Sequence, residues 1–144
     1  MFSKACEYGI KATVHICIRS QQHERVSLKN IAEKIDSPIA FTAKILQSLA
    51  KNDIINSSKG AKGGYEMSED NFNKITLLDI VKAIDGDNIY NGCGLGYKNC
   101  NAKKPCPMHF QFKSIRDDLK KMLETTTLQE LADDINEGTS FLVR

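Results

Sequence analysis

The chain has 144 residues, 41% of them hydrophobic and 26% charged, which suits one globular domain, or one domain with an appendage, and leaves no room for a large enzyme cleft beside the core. No apolar run approaches the roughly 20 residues that cross a bilayer, and Met1-Phe2-Ser3-Lys4 has no signal-peptide pattern, so a cytoplasmic location without a membrane partner is expected. The net charge of +2 is too small to single out a partner.

Residues Ser3 to Ser20 predict a helix, with Ala5, Ile10, Val14, Ile16 and Cys17 recurring at roughly helical spacing. Gln21-Gln22-His23-Glu24 is a polar loop. A short helix then runs from Leu28 to Ile35, with Ser27 as N-cap; Asn30 stands where a Glu would complete a capping box. Asp36-Ser37-Pro38 breaks the pattern. Ser37 is placed to cap the next helix, and Pro38 is tolerated at its first position because its missing N–H would be unpaired there. That helix extends from Pro38 to about Lys51, with Ile39, Ile45, Leu46 and Leu49 directed to the core.

Two short helices across a tight turn form a helix-turn-helix, and the second is the recognition candidate. Ile54 to Ser58 and Tyr65 to Ser68 flank the Gly-rich turn Lys59-Gly60-Ala61-Lys62-Gly63-Gly64 and predict a β-hairpin with a basic tip. A helix-turn-helix followed by such a hairpin is a winged helix. Ile75 to Ile84 predicts another helix, with Thr76 as N-cap and Asp85-Gly86 as its end.

Asn88 to Pro107 shows no periodicity, and a loop of this length in a small domain calls for a function. After it, Met108, Phe112, Ile115, Leu119 and Met122 step by four, three, four and three along a helix to about Glu124, a heptad-like seam that predicts pairing with a second copy. Thr127 caps a last helix, Leu128 to Ile135, and a frayed tail is expected from Gly138. The fold class is thus mainly α with a small β-hairpin wing. The expected divisions are a DNA-binding domain at 1–86, a cysteine-rich loop at 87–107, and a dimerisation helix with tail at 108–144.

From Arg25 to Tyr65 there are seven Lys and Arg against three Asp and Glu, whereas from Arg116 onward there are four against seven. A basic front half suits a polyanion, because neutralised phosphates release condensed counterions, although a solvated charged surface gives the same count. The expected DNA-facing residues are Ser27 and Lys29 on the first helix of the pair, Pro38, Ala40, Phe41, Thr42 and Lys44 on the second, and Lys59, Lys62, Gly63 and Tyr65 on the wing. Thr42 and Lys44 would reach base edges; Phe41 would meet a thymine methyl or pack internally.

Five cysteines are an odd number, which argues against a disulfide framework, and three of them, Cys93, Cys100 and Cys106, fall within fourteen residues. Thiolates select zinc, copper(I) or iron–sulfur clusters. Structural zinc sites favour thiol pairs two to four residues apart, and the wider gaps here suit a larger object such as a cluster. Zinc and three unrelated thiols are the alternatives. His109 is one candidate for a fourth ligand, and Glu7, delivered by a partner chain, is the other. Cys6 and Cys17 are expected to pack near the first helix. No Cys-x-x-Cys pair, P-loop or nucleophile–base motif points to an enzyme.

Tyr8-Gly9-Ile10-Lys11-Ala12, Val26 to Ala32, and Lys59 to Tyr65 resemble the opening helix, helix-turn-helix and wing of the winged-helix regulators that include IscR, NsrR and CymR. Cys93, Cys100 and Cys106 resemble the cluster-bearing branch of that family. The resemblance implies a homodimer on a pseudo-palindromic operator in double-stranded DNA, and a 2Fe–2S or 4Fe–4S cluster whose occupancy alters promoter binding. It also implies that His109 stands where IscR-like members place a histidine ligand, and Glu7 near a carboxylate that NsrR-like members supply across the dimer. The chain departs from the family in its first Cys gap, six residues rather than five, and in Ala43 and Lys44, which replace polar base-reading side chains.

Overall fold

Ser3 starts helix α1 (Lys4–Gln21): its hydroxyl accepts from the Cys6 N–H at 3.0 Å, while its own N–H donates to the Asp85 carboxylate at 2.9 Å. This computed structural model describes residues 1–143; Arg144, counted above among the basic residues, lies outside them. From Ala12 to Cys17 every residue of α1 is buried, so the helix is the axis of the fold rather than an amphipathic surface element. Among the described residues no helix is long and apolar enough to cross a membrane. Burial pushes the thiols of Cys6 and Cys17 up to about 12, with nearby Asp85 and Asp133 as lesser causes, so both stay protonated as packing groups.

Helices α2 (Leu28–Lys34) and α3 (Ile39–Lys51) form the helix-turn-helix, and the Ser27 hydroxyl caps α2 by accepting from the Asn30 N–H at 3.1 Å. At the start of α3 the structure corrects the sequence reading. Pro38 is itself the N-cap, in extended conformation, and no side chain caps the helix. The Ser37 hydroxyl is engaged by that of Thr42, and Ile39, expected in the core, is 52% exposed.

Strands β1 (Asn56–Ser58) and β2 (Gly64–Glu66) pair antiparallel with Ser57 opposite Tyr65. Val26, just ahead of α2, bridges Tyr65 through two backbone hydrogen bonds of 2.9 and 2.7 Å, which ties the wing to the helix-turn-helix. Gly64 makes that approach with φ +139°, and a Cβ there would lie 2.6 Å from the Val26 oxygen.

Helix α4 (Glu69–Lys74) has no counterpart in the sequence reading, because its single buried apolar residue, Phe72, creates no periodicity. Helix α5 (Leu77–Asp85) starts after its expected N-cap Thr76, with the Asp79 carboxylate accepting from the Thr76 N–H at 2.9 Å. A short helix, α6 (Asn88–Asn91), interrupts the predicted loop and precedes the long α7 (His109–Thr125). Thr127 and Glu130 form a capping box for α8 (Leu128–Asn136).

The chain then closes on itself. The Leu77 N–H donates to the Thr126 carbonyl at 3.0 Å and the Leu128 N–H to the Ile75 carbonyl at 3.1 Å. Leu123, Leu128 and Ala132 are buried in the same core as Ile16, Ile31, Leu46 and Ile80. Helices α7 and α8 are therefore continuous with the first 86 residues in their packing, even though sequence order separates them. Of the tail expected to fray, residues 138–141 and 143 are exposed and outside regular structure, while Leu142 packs half-buried against this core. The architecture is a winged helix, mainly α with one two-stranded hairpin, carrying a long C-terminal helix.

Candidate functional site

The loop from Gly92 to Met108 lies along α7, and the four candidate ligands fall into two pairs. Cys100 Sγ and His109 Nδ1 share a hydrogen bond of 3.3 Å. The Cys93 thiol is held below the ordinary thiol range by the backbone N–H groups of Leu95, Tyr97 and Gly96 and by the Cys106 thiol, against a smaller opposing effect of burial. Converging N–H groups stabilise the anionic form, which is the ligand form of a thiol. Cys93 and Cys106 are half-buried and Cys100 is exposed.

His109 is 5% exposed, and its Nε2 is buried without a hydrogen-bond partner. A buried imidazole nitrogen left unmet is costly, and a metal is one partner that would meet it. Among the described residues no three His, Cys, Asp or Glu side chains converge in ion-binding geometry, so the pairs stand apart. The donor set, three thiols and one imidazole on a single segment, is nevertheless the chemistry that holds iron–sulfur clusters or zinc. Glu7 lies in neither pair: its carboxylate is bound to Lys4 at 3.2 Å.

The recognition helix presents a narrower surface than the sequence suggested. Thr42, expected to read base edges, is fully buried; its hydroxyl donates to the Pro38 carbonyl at 2.8 Å and also meets the Ser37 hydroxyl. It locks the first turn of α3 and has no path to DNA. Phe41 packs inward, its ring edge-on to Tyr8 with centroids 5.8 Å apart. Ala40, Lys44, Gln47 and Lys51 form the exposed stripe, at helical spacing opposite Thr42, Ile45, Leu46 and Leu49. Gln47 was missed from sequence, although its spacing from Lys44 would have found it.

Ser27, Lys29 and Pro38 are exposed beside this stripe, and Lys59 and Lys62 are exposed on the wing. Gly63 and Tyr65, expected to face DNA, use their backbone donors internally: the Gly63 N–H donates to Gly60 at 2.9 Å and the Tyr65 N–H to Val26. Both therefore shape the wing. Arg25, another residue missed from sequence, braces it with a 3.1 Å ion pair to Glu66.

The seam residues of α7 divide in two. Met108, Ile115 and Met122 are exposed, at 44%, 67% and 43%, whereas Phe112 and Leu119 are half-buried. His109, Arg116 and Leu123 form the buried stripe that faces the chain's own body.

Residues 2–134 match the model of the Rrf2 family, described as an iron-dependent transcriptional regulator. An HTH-type transcriptional regulator of Aquifex aeolicus (strain VF5) is 26% identical over 133 residues, covering 91% of this chain and 90% of that one. The HTH-type transcriptional regulator IscR of Pectobacterium atrosepticum is 26% identical over 124 residues, covering 86% and 74%. Among solved structures, CymR, the global cysteine regulator of B. subtilis, superposes with a TM-score of 0.75 at 25% identity, covering 92% of this chain and 96% of that one.

Proposed function

The chain belongs to the Rrf2 family of DNA-binding transcriptional regulators, not to an enzyme family, and from that premise we propose that it is a cytoplasmic repressor gated by an iron–sulfur cluster. The observation that carries this reading is the arrangement of the loop beside the start of α7: Cys100 against His109 at 3.3 Å, and Cys93 beside Cys106. Cys93, Cys100 and Cys106 would hold the cluster, with His109 as the fourth ligand. Glu7 of a partner chain is the rival fourth ligand. A bound cluster supplies a tie that redox change, nitric oxide or cluster shortage can break.

The loop residues do the rest. Cys93 and Cys106 would have to close on Cys100 and His109, which orders residues 87–107 between the helix-turn-helix at 1–86 and α7. Exposed Met108, Ile115 and Met122, with Phe112 and Leu119 behind them, supply the apolar surface of a two-fold dimer. Such a dimer presents two recognition helices about one DNA turn, or a multiple, apart, and so selects a pseudo-palindromic operator. Ordering or release of the loop would change that spacing, and a difference in DNA affinity between the two states is what a switch requires.

The deciding experiment is metal and sulfide analysis of anaerobically purified protein, followed by operator binding at fixed salt with and without Cys100→Ala. Iron with sulfide, and unequal binding, supports the proposal. Zinc alone makes the site structural. A cluster-loaded protein that binds like Cys100→Ala rules out gating.

A further inference from the structure

Arg116 is buried on α7, 9% exposed, in a slot that an apolar side chain would fill at less desolvation cost. Its Nη1 donates to the Gly92 carbonyl at 2.6 Å and reaches the Asn91 carbonyl at 3.4 Å, while its Nε is buried with no acceptor. Gly92 is the residue before Cys93. No other guanidinium among the described residues is so deeply buried.

The neighbours of Arg116 on α7 grip the same segment. One turn before it, the Phe112 ring lies under Gly94, where a Cβ would come within 2.8 Å of Phe112 Cγ. At the helix start His109 meets Cys100, and one turn after Arg116 the Lys120 ammonium stands 6.0 Å from the ring of buried Tyr90 on α6. Residues 109, 112, 116 and 120 step by three and four along one face of the helix. That face is a spine on which the loop is laid from both ends, and Arg116 supplies its charged, two-carbonyl contact.

We propose that Arg116 is the positioning residue of the cysteine site, holding the Asn91–Gly92 backbone so that the Cys93 thiol is kept beside Cys106 against α7, from where the pair can close on Cys100 and His109. This rests on the reading that the loop holds a cluster, and its test separates the two. The same contact makes Arg116 the link by which a change at the thiols would reach the helix proposed to form the dimer. Both contacts leave from the one Nη1, so a lysine keeps the charge and the donors but carries them on a flexible stem of different reach.

The experiment uses the full chain with Arg116→Met and Arg116→Lys. In metal-free protein, amide hydrogen exchange is followed at 91–106 and, as reference, in α3 and α5. Loss of a charge-assisted contact should speed loop exchange by about tenfold or more in Arg116→Met, with Arg116→Lys intermediate and the reference helices unchanged. Reconstitution with ferrous iron and sulfide under anaerobic conditions then compares iron and sulfide content, visible absorption and cluster lifetime in air. Faster loop exchange together with a shorter-lived cluster supports the assignment. Unchanged loop exchange, equal cluster lifetime, or loosening of α3 and α5 in both variants overturns it. A wild type that takes up no iron or sulfide, while both variants still loosen the loop, leaves Arg116 as the positioning residue and removes the cluster reading.

Discussion

His109 meets Cys100 across 3.3 Å through Nδ1 and keeps Nε2 buried without a partner, so one imidazole is both joined to a thiol and left with an open site. The proposed fourth ligand is therefore His109, with Glu7 of a partner chain, here paired with Lys4, as its rival. After anaerobic reconstitution, His109→Ala is expected to lower cluster content or shift its visible absorption. Glu7→Gln should leave both unchanged. Iron and sulfide assays with absorption spectra decide, and the reverse pattern would assign the ligand to Glu7 of a partner.

Thr42 and Lys44 should separate stability from DNA reading. The Thr42 hydroxyl is buried on Pro38 and Ser37, so Thr42→Val should cost about 1–2 kcal/mol in denaturant unfolding. Lys44→Ala and Gln47→Ala should leave the unfolding midpoint in place and weaken operator binding. A Thr42→Val protein of full stability and altered base preference would return Thr42 to the interface.

Lys62 stands exposed on the wing and is expected to meet phosphate or the minor groove. Lys62→Ala should weaken binding to specific and random duplexes alike and reduce the salt slope by roughly one. Titrations at several salt concentrations measure both. An unchanged slope would take Lys62 off the DNA.

Ile115, 67% exposed at the centre of the α7 seam, is the residue whose charge would be least tolerated in a dimer. Ile115→Asp is expected to sediment as a monomer at micromolar concentration and to lose most operator affinity. Its effect on the monomer's own stability should stay within about 0.5 kcal/mol, as for exposed positions generally. A wild type that is itself monomeric would remove the dimer.

His15 predicts the acid side of the stability profile. It is buried with one ring nitrogen 3.0 Å from Asn30 Oδ1, and burial lowers its pKa, with Lys34 and Arg19 adding to the effect and the Asn30 bond opposing it. The unfolded histidine, near 6.5, then binds a proton at a pH where the folded one does not. Stability is therefore full above about pH 6.5 and falls as pH drops toward the folded-state value. Urea midpoints at pH 7.5 and 5.5 should differ less in His15→Gln than in wild type. Equal differences would assign the acid sensitivity to other groups.

Much of this protein follows from local patterning alone. Ser27, Thr76 and Thr127 each cap a helix where the sequence places them, because capping depends on one side chain and the next few backbone N–H groups. The wing follows from Gly63-Gly64, since turns are short-range features. Tertiary structure decided the rest. Thr42 and Lys44 look alike as small or polar helix positions, and only the packing of α3 on α1 and α2 buries the first and exposes the second. Phe72 turns a polar hexapeptide into α4 because a core is waiting for its ring. Arg116 read as one charge in an acidic half of the chain; its burial and its grip on Gly92 exist only once α6 and the loop lie against α7, a long-range contact that no periodicity encodes.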